Sequence, residues 1–79
     1  MATIEICEEN KIVSAFAKKL KVNTDKIKKI EYDSDDFDGE ICMVIDVYLK
    51  DSESYTRFVA DWDKINFESN RLPKNIVMQ

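Results

Sequence analysis

From Glu40 to Lys50 every second residue is apolar: Ile41, Met43, Ile45, Val47 and Leu49 alternate without a break. Side chains of a strand point alternately to its two faces, so this run predicts a strand with one wholly apolar face. Asp38-Gly39 stands just ahead of it. A two-residue type I′ turn needs positive φ at both central positions, which Asp-Gly adopts at little cost. The chain therefore doubles back there. Lys28–Asp33, with Ile30 and Tyr32 on one side and Lys29 and Glu31 on the other, predicts the strand it returns along.

Two further elements follow from periodicity. Glu8–Val22 predicts an amphipathic helix, because Ile12, Val13, Phe16, Ala17 and Leu20 fall on one side. Glu8 and Glu9 at its start and Lys18, Lys19 and Lys21 at its end suit the helix dipole. Asn10 caps a short form of this helix, or Thr3 a longer one. Alternation of Ala2, Ile4 and Ile6 with Thr3, Glu5 and Cys7 also allows a short first strand. Tyr55–Asp63 fits a helical stripe, yet Tyr55, Thr56, Phe58, Val59 and Trp62 are strand formers, and Lys50–Ser54 suits a hairpin loop. A third strand is the expectation there. Leu72-Pro73 resists helix, and Ile76, Val77 and Met78 form a short closing segment. The predicted architecture is one α+β domain over residues 1–79: one N-terminal helix packed on a three-stranded antiparallel meander, with a short C-terminal segment. A 79-residue chain buries only about 60% of its unfolded surface, which leaves little material for an elaborate site.

The net charge of −4 is unevenly spread. Met1–Tyr32 carries seven lysines against five acids. Asp33–Asp63 carries ten acids against Lys50 and Arg57. Direct nucleic-acid binding needs a basic stripe, and this middle segment is its opposite. Lys18, Lys19, Lys21, Lys26, Lys28 and Lys29 lack arginine and interleaved aromatics, and read as a solvated helix end rather than a phosphate patch.

Chemistry-bearing motifs are scarce. The chain has no histidine, which removes His-based triads and His metal ligands. Two cysteines without histidine make a poor zinc site, and no Gly-rich phosphate loop exists. Aligning Gly39 with an EF-hand glycine puts Ser34, Asp36 and Asp38 at ligand positions, but Ile45 falls where a bidentate glutamate is required. No catalytic residue, metal site or cofactor is assigned, and the chain is expected not to be an enzyme. Cys7 and Cys42 are expected to be two buried thiols rather than a disulfide. That expectation, with no secretory signal and no apolar run long enough to span a bilayer, predicts a cytoplasmic protein, in its own cell or a host's.

Two surfaces remain as candidates. The first is acidic: Asp33, Asp35, Asp36, Asp38 and Glu40, with Asp61 and Asp63 as extensions and Phe37 as an apolar anchor. The second is the sheet face turned away from the helix, where Val44, Tyr48, Tyr55 and Val59 would form a homodimer face unless Ile65, Phe67, Leu72 and Ile76 of the tail cover it. In general profile the chain is similar to small acidic inhibitors: phage-encoded anti-CRISPR and other anti-defence proteins, or immunity proteins of nuclease toxins. That similarity is compositional and carries over no residues. It implies a basic protein partner, a nucleic-acid-binding enzyme whose channel a row of carboxylates would fill as a phosphate mimic. No direct nucleic-acid or membrane contact is expected. The alternative is a homo-oligomeric structural or adaptor protein using the outer sheet face.

Overall fold

The computed structural model describes residues 2–79. Its elements are β1 (Ala2–Ile4), α1 (Lys11–Leu20), a 3-10 turn at Thr24–Lys26, β2 (Ile27–Phe37), β3 (Glu40–Leu49), β4 (Tyr55–Asp61), α2 (Lys64–Glu68) and β5 (Val77–Met78). The strands form a single antiparallel sheet in the order β1-β2-β3-β4-β5. This corrects the predicted architecture of one helix on a three-stranded meander. The central hairpins fall where the alternation placed them, but each edge gains a strand and the tail contributes α2. The physical reason is edge satisfaction: β2 and β4 would otherwise expose their outer backbone groups, and short terminal segments pair with them.

The Asp38-Gly39 turn has φ of 52° and 85°, as a type I′ turn requires. It joins Phe37 to Glu40, and from there the register runs unbroken to Lys29 opposite Tyr48. A β-bulge between Ile27 and Lys29 then returns Ile27 to the core side.

Helix α1 starts later than its charge pattern suggests, because Asn10 caps it. The Asn10 Oδ1 accepts the N–H groups of Ile12 at 2.9 Å and Val13 at 3.3 Å. Asn70 Oδ1 accepts from Ile12 as well, at 3.2 Å, which ties the segment after α2 to the start of α1. Lys21 ends the helix in the left-handed region at φ 58°. The buried face of α1, Ile12, Val13, Phe16 and Ala17, meets Ile30, Met43, Ile45, Val47 and Phe58 of the sheet. The Phe16 and Phe58 rings lie 4.9 Å apart.

The tail does not lie over the outer face of the sheet. Phe67 is fully buried on the helix side, with its ring 4.6 Å from that of Tyr32 in an edge-on contact. Ile76 packs against the same core, while Ile65 is 77% exposed. Leu72 is exposed and the following Pro73 is buried. Both thiols are free but not buried, contrary to expectation: Cys7 is exposed before α1, and Cys42 is half-buried on the outer face. No helix among the described residues is long and apolar enough to cross a membrane.

These contacts generate three stability predictions. Phe67→Ala should cost about 3–5 kcal/mol, and Asn10→Ala about 1 kcal/mol, read by urea unfolding; near-neutral Phe67→Ala would disprove the core role of α2. Burial, then the Glu68 charge, then a hydrogen bond to Glu68 at 3.2 Å raise the Tyr32 phenol above its ordinary value of 10.0. The folded state thus favours the neutral phenol. Its contribution is complete below the unfolded pKa and disappears as pH rises through the folded one. Tyr32→Phe should therefore lose less stability than the native chain on going above pH 10.

Candidate functional site

The acidic segment forms an extended two-stranded ribbon, with only the Asp38-Gly39 turn as loop. Among the described residues the covering strands reach only part of the way: Ala2 of β1 lies opposite Tyr32, and β4 ends at Asp61 opposite Cys42. Every residue from Asp33 to Ile41 is consequently exposed. Strand parity divides the acids between two sides. Asp33, Asp35 and Glu40 lie on the open face with Phe37, and Asp36 lies on the helix side opposite Ile41. Phe37 is 46% exposed and Ile41 60% exposed, so the tip combines carboxylates with apolar surface.

Several of these carboxylates also serve the local backbone. Asp33 Oδ1 accepts the Ser34 N–H and Asp35 Oδ1 the Asp36 N–H, each at 2.8 Å. Asp36 Oδ1 accepts the Gly39 N–H at 3.0 Å and steadies the turn. None of Asp33, Asp35, Asp36, Asp38 or Glu40 forms an ion pair among the described residues. The two extensions behave differently. Asp61 sits on the open face across Cys42 from Asp35, and accepts from Asn75 Nδ2 at 2.7 Å. Asp63 caps α2, accepting from the Asn66 N–H at 3.2 Å and from the Asn66 side-chain amide. Asp63 thus has a structural task and stands apart from the ribbon. Strand geometry also removes the EF-hand reading, since a calcium loop must wrap its ligands around one point. No group of three or more His, Cys, Asp or Glu side chains among the described residues is arranged to hold a metal.

The outer face carries Val44, Tyr48, Tyr55 and Val59 as the alternation predicted. Tyr48 and Tyr55 are directly opposed, with rings 5.0 Å apart. What the sequence reading missed is the ion pair between Val44–Val59 and this tyrosine pair. Asp46 is only 2% exposed, although it lies on the uncovered face. The Arg57 guanidinium grips it at both oxygens, Nε to Oδ1 at 2.8 Å and Nη2 to Oδ2 at 3.0 Å. This fork raises the Arg57 pKa above its ordinary value, chiefly through the hydrogen bond, so the cation is permanent. Lys29 likewise bonds Glu31 at 2.9 Å and lies 4.5 Å from the Tyr48 ring centre; the bond to Glu31 leads the causes that raise its pKa. Of the other lysines singled out, Lys26 pairs with Asp51 at 3.4 Å, and Lys18 and Lys19 close α1.

No protein-family model matches the chain, and no curated protein or solved structure shows a significant similarity to it.

The Asp46–Arg57 pair makes a stability prediction. Arg57→Ala leaves a covered carboxylate without its cation and should cost about 1–3 kcal/mol, reduced from the fully buried case by the half-open setting of Arg57. Replacing both by valine should recover most of that loss, since the flanking Val44–Val59 row supplies apolar neighbours. Urea unfolding of the single and double variants checks this; a double variant as unstable as Arg57→Ala would refute it.

Proposed function

We propose that the chain is a small acidic protein-binding module, an inhibitor whose ribbon enters the basic channel of a nucleic-acid-handling protein as a phosphate mimic. The observation that carries this reading is the ribbon. Asp33, Asp35, Asp36, Asp38 and Glu40 stand outside the core on paired strands, exposed and without an internal cation among the described residues. Asp33 and Asp35, on one side of β2, lie about 7 Å apart, and Glu40 of β3 joins them on the same face, a short row of negative charge. Strand pairing and the type I′ turn hold that row in shape, which reduces the ordering cost of binding. Phe37 supplies an apolar contact beside the charges, and such contacts govern lifetime more than encounter rate. This is the manner of inhibition that the similarity to anti-CRISPR and nuclease-immunity proteins implies. The two free thiols favour action in a reducing compartment, the cytoplasm of its own cell or a host's.

A second reading rests on the Tyr48–Tyr55 pair, whose rings meet at a tilt of 43°, on a face that the tail leaves uncovered. It makes the protein a homo-oligomeric adaptor, with Val44 and Val59 beside the tyrosines.

Salt separates the two readings, because steered charge contacts weaken with ionic strength and apolar ones do not. The direct test is capture of a basic partner from cell extract, followed by binding kinetics of the Asp35→Asn/Asp36→Asn/Asp38→Asn variant. Asparagine keeps the Oδ1 acceptors and tolerates positive φ. Association should slow by about tenfold with a flatter salt dependence, and added DNA should compete for the partner. An unchanged rate and salt slope would refute the ribbon reading and transfer the case to the tyrosine face.

A further inference from the structure

β2 continues for five residues beyond Tyr32, the partner of Ala2 in β1, and no strand among the described residues covers its outer edge there. The two-residue turn makes Phe37 and Glu40 a hydrogen-bonded pair. Ladder alternation then turns the backbone N–H and C=O of Ser34 and Asp36 away from β3, toward the open edge. Their N–H groups meet only the side chains of Asp33 and Asp35. Beside this edge, on the helix side, lies a cavity of about 290 Å3 lined by Ala2, Tyr32, Asp33, Ser34, Trp62 and Lys64.

We propose that this edge and its cavity receive an extended basic segment of a partner protein, added as a strand in the line of β1. The inference rests on the ribbon being a partner-binding element, and it specifies the mode and the ligand chemistry. Strand parity defines what the segment must carry. A residue opposite Ser34 turns its side chain to the same side as Ala2, over the cavity whose walls include Tyr32 and Trp62. An apolar side chain fits there. A residue opposite Asp35 turns to the open face, among the carboxylates of Asp33 and Asp35, where lysine or arginine is required. Main-chain bonds supply affinity in such additions, and alternate side chains supply selectivity.

Electrostatics decides between occupants. An incoming strand displaces the Asp33 and Asp35 side chains from the Ser34 and Asp36 N–H groups and takes those donors into a ladder. A neutral strand would leave both carboxylates partly desolvated and without donors, which is costly. A second copy of the ribbon would bring like charges together. Only a basic segment returns partners to the displaced carboxylates, so the same residues repel wrong strands and accept the right one.

The test uses the full, isotope-labelled chain and a short peptide alternating lysine with valine, with the matching glutamate–valine peptide as control. At saturation the lysine peptide should slow amide exchange at Ser34 and Asp36 by about tenfold or more, while the glutamate peptide should not bind. Ser34→Pro removes one outward donor and leaves the bonds to β3 in place; with its amide spectrum showing the fold retained, it should weaken the lysine peptide by about tenfold. As a check independent of any variant, lysine peptides N-methylated at alternate positions should split into a binding and a non-binding set. Saturable binding with Ser34 and Asp36 exchange unchanged, or equal binding by both methylated sets, would overturn strand addition while leaving the charge reading intact. The charge reading fails separately, through the kinetics of the triple asparagine variant.

Discussion

The turn at Asp38-Gly39 is the constraint from which the rest of the sheet follows. Two residues with positive φ join β2 to β3 with no slack, so Phe37 must oppose Glu40. A one-residue slip would carry every side chain of β3 to the other face and expose Met43, Ile45 and Val47 to water. With the register fixed, Ile30 and Tyr32 join those residues under α1, and Lys29, Glu31, Asp33 and Asp35 share the opposite face with Tyr48, Asp46, Val44 and Cys42. The core and the exposed surface are thus two outcomes of one turn geometry.

A helix covers one side of this sheet, and the other side needs a different solution. Antiparallel sheets tolerate one solvated face, but here polar side chains are held in place as well as exposed. Arg57 lies across Asp46, and Lys29 lies between Glu31 and Tyr48. These contacts cover the strands with charged groups that have already found partners. On the same face Val44, flanked by Asp33 and Val59 on the neighbouring strands, is 8% exposed. The acids of the ribbon differ because their strand neighbours offer no cation: Asp35 opposes Cys42, Asp33 opposes Val44, and Asp36 opposes Ile41.

Much of this was legible in the sequence, wherever one short-range rule decided the outcome. Alternation located β3, Asp-Gly located the turn, and Asn10 was a recognisable cap for α1. The faces of Val44, Tyr48, Tyr55 and Val59 followed from parity. Long-range pairing was not legible. The alternation of Ala2, Ile4 and Ile6 allowed a short β1 but not its partner, and β5, two residues long, is too short for a periodic signal; both pair with edges that would otherwise be open. The role of Phe67 was hidden because α2 is a single short turn in a segment with no clear period. Asp63 looked like one more acid of the cluster until the start of α2 showed it to be a cap. The Asp46–Arg57 pair lay between: both residues have outward parity, and setting Tyr48 opposite Tyr55 would have paired them. The five-residue loop assigned to Lys50–Ser54 gave no reason to choose that register.

The acids of the ribbon therefore need not be divided into structural and functional sets. An exposed strand edge invites unwanted pairing, and charge along it is a common defence. Asp33 and Asp35 go further than repelling strands, since their carboxylates occupy the outward N–H groups that a foreign strand would seek. Under the strand-addition proposal the same placement makes the edge selective. Whatever displaces these side chains must give their charges new donors, and among protein groups lysine and arginine do this best. Clustered like charge weakens a small domain through self-repulsion, and this chain concentrates it where two strands stand clear of the core, so that solvent screens the repulsion and the hydrophobic layer under α1 is spared. If the proposed basic segment binds, guarding the edge and receiving that segment are, at Asp33 and Asp35, one electrostatic property.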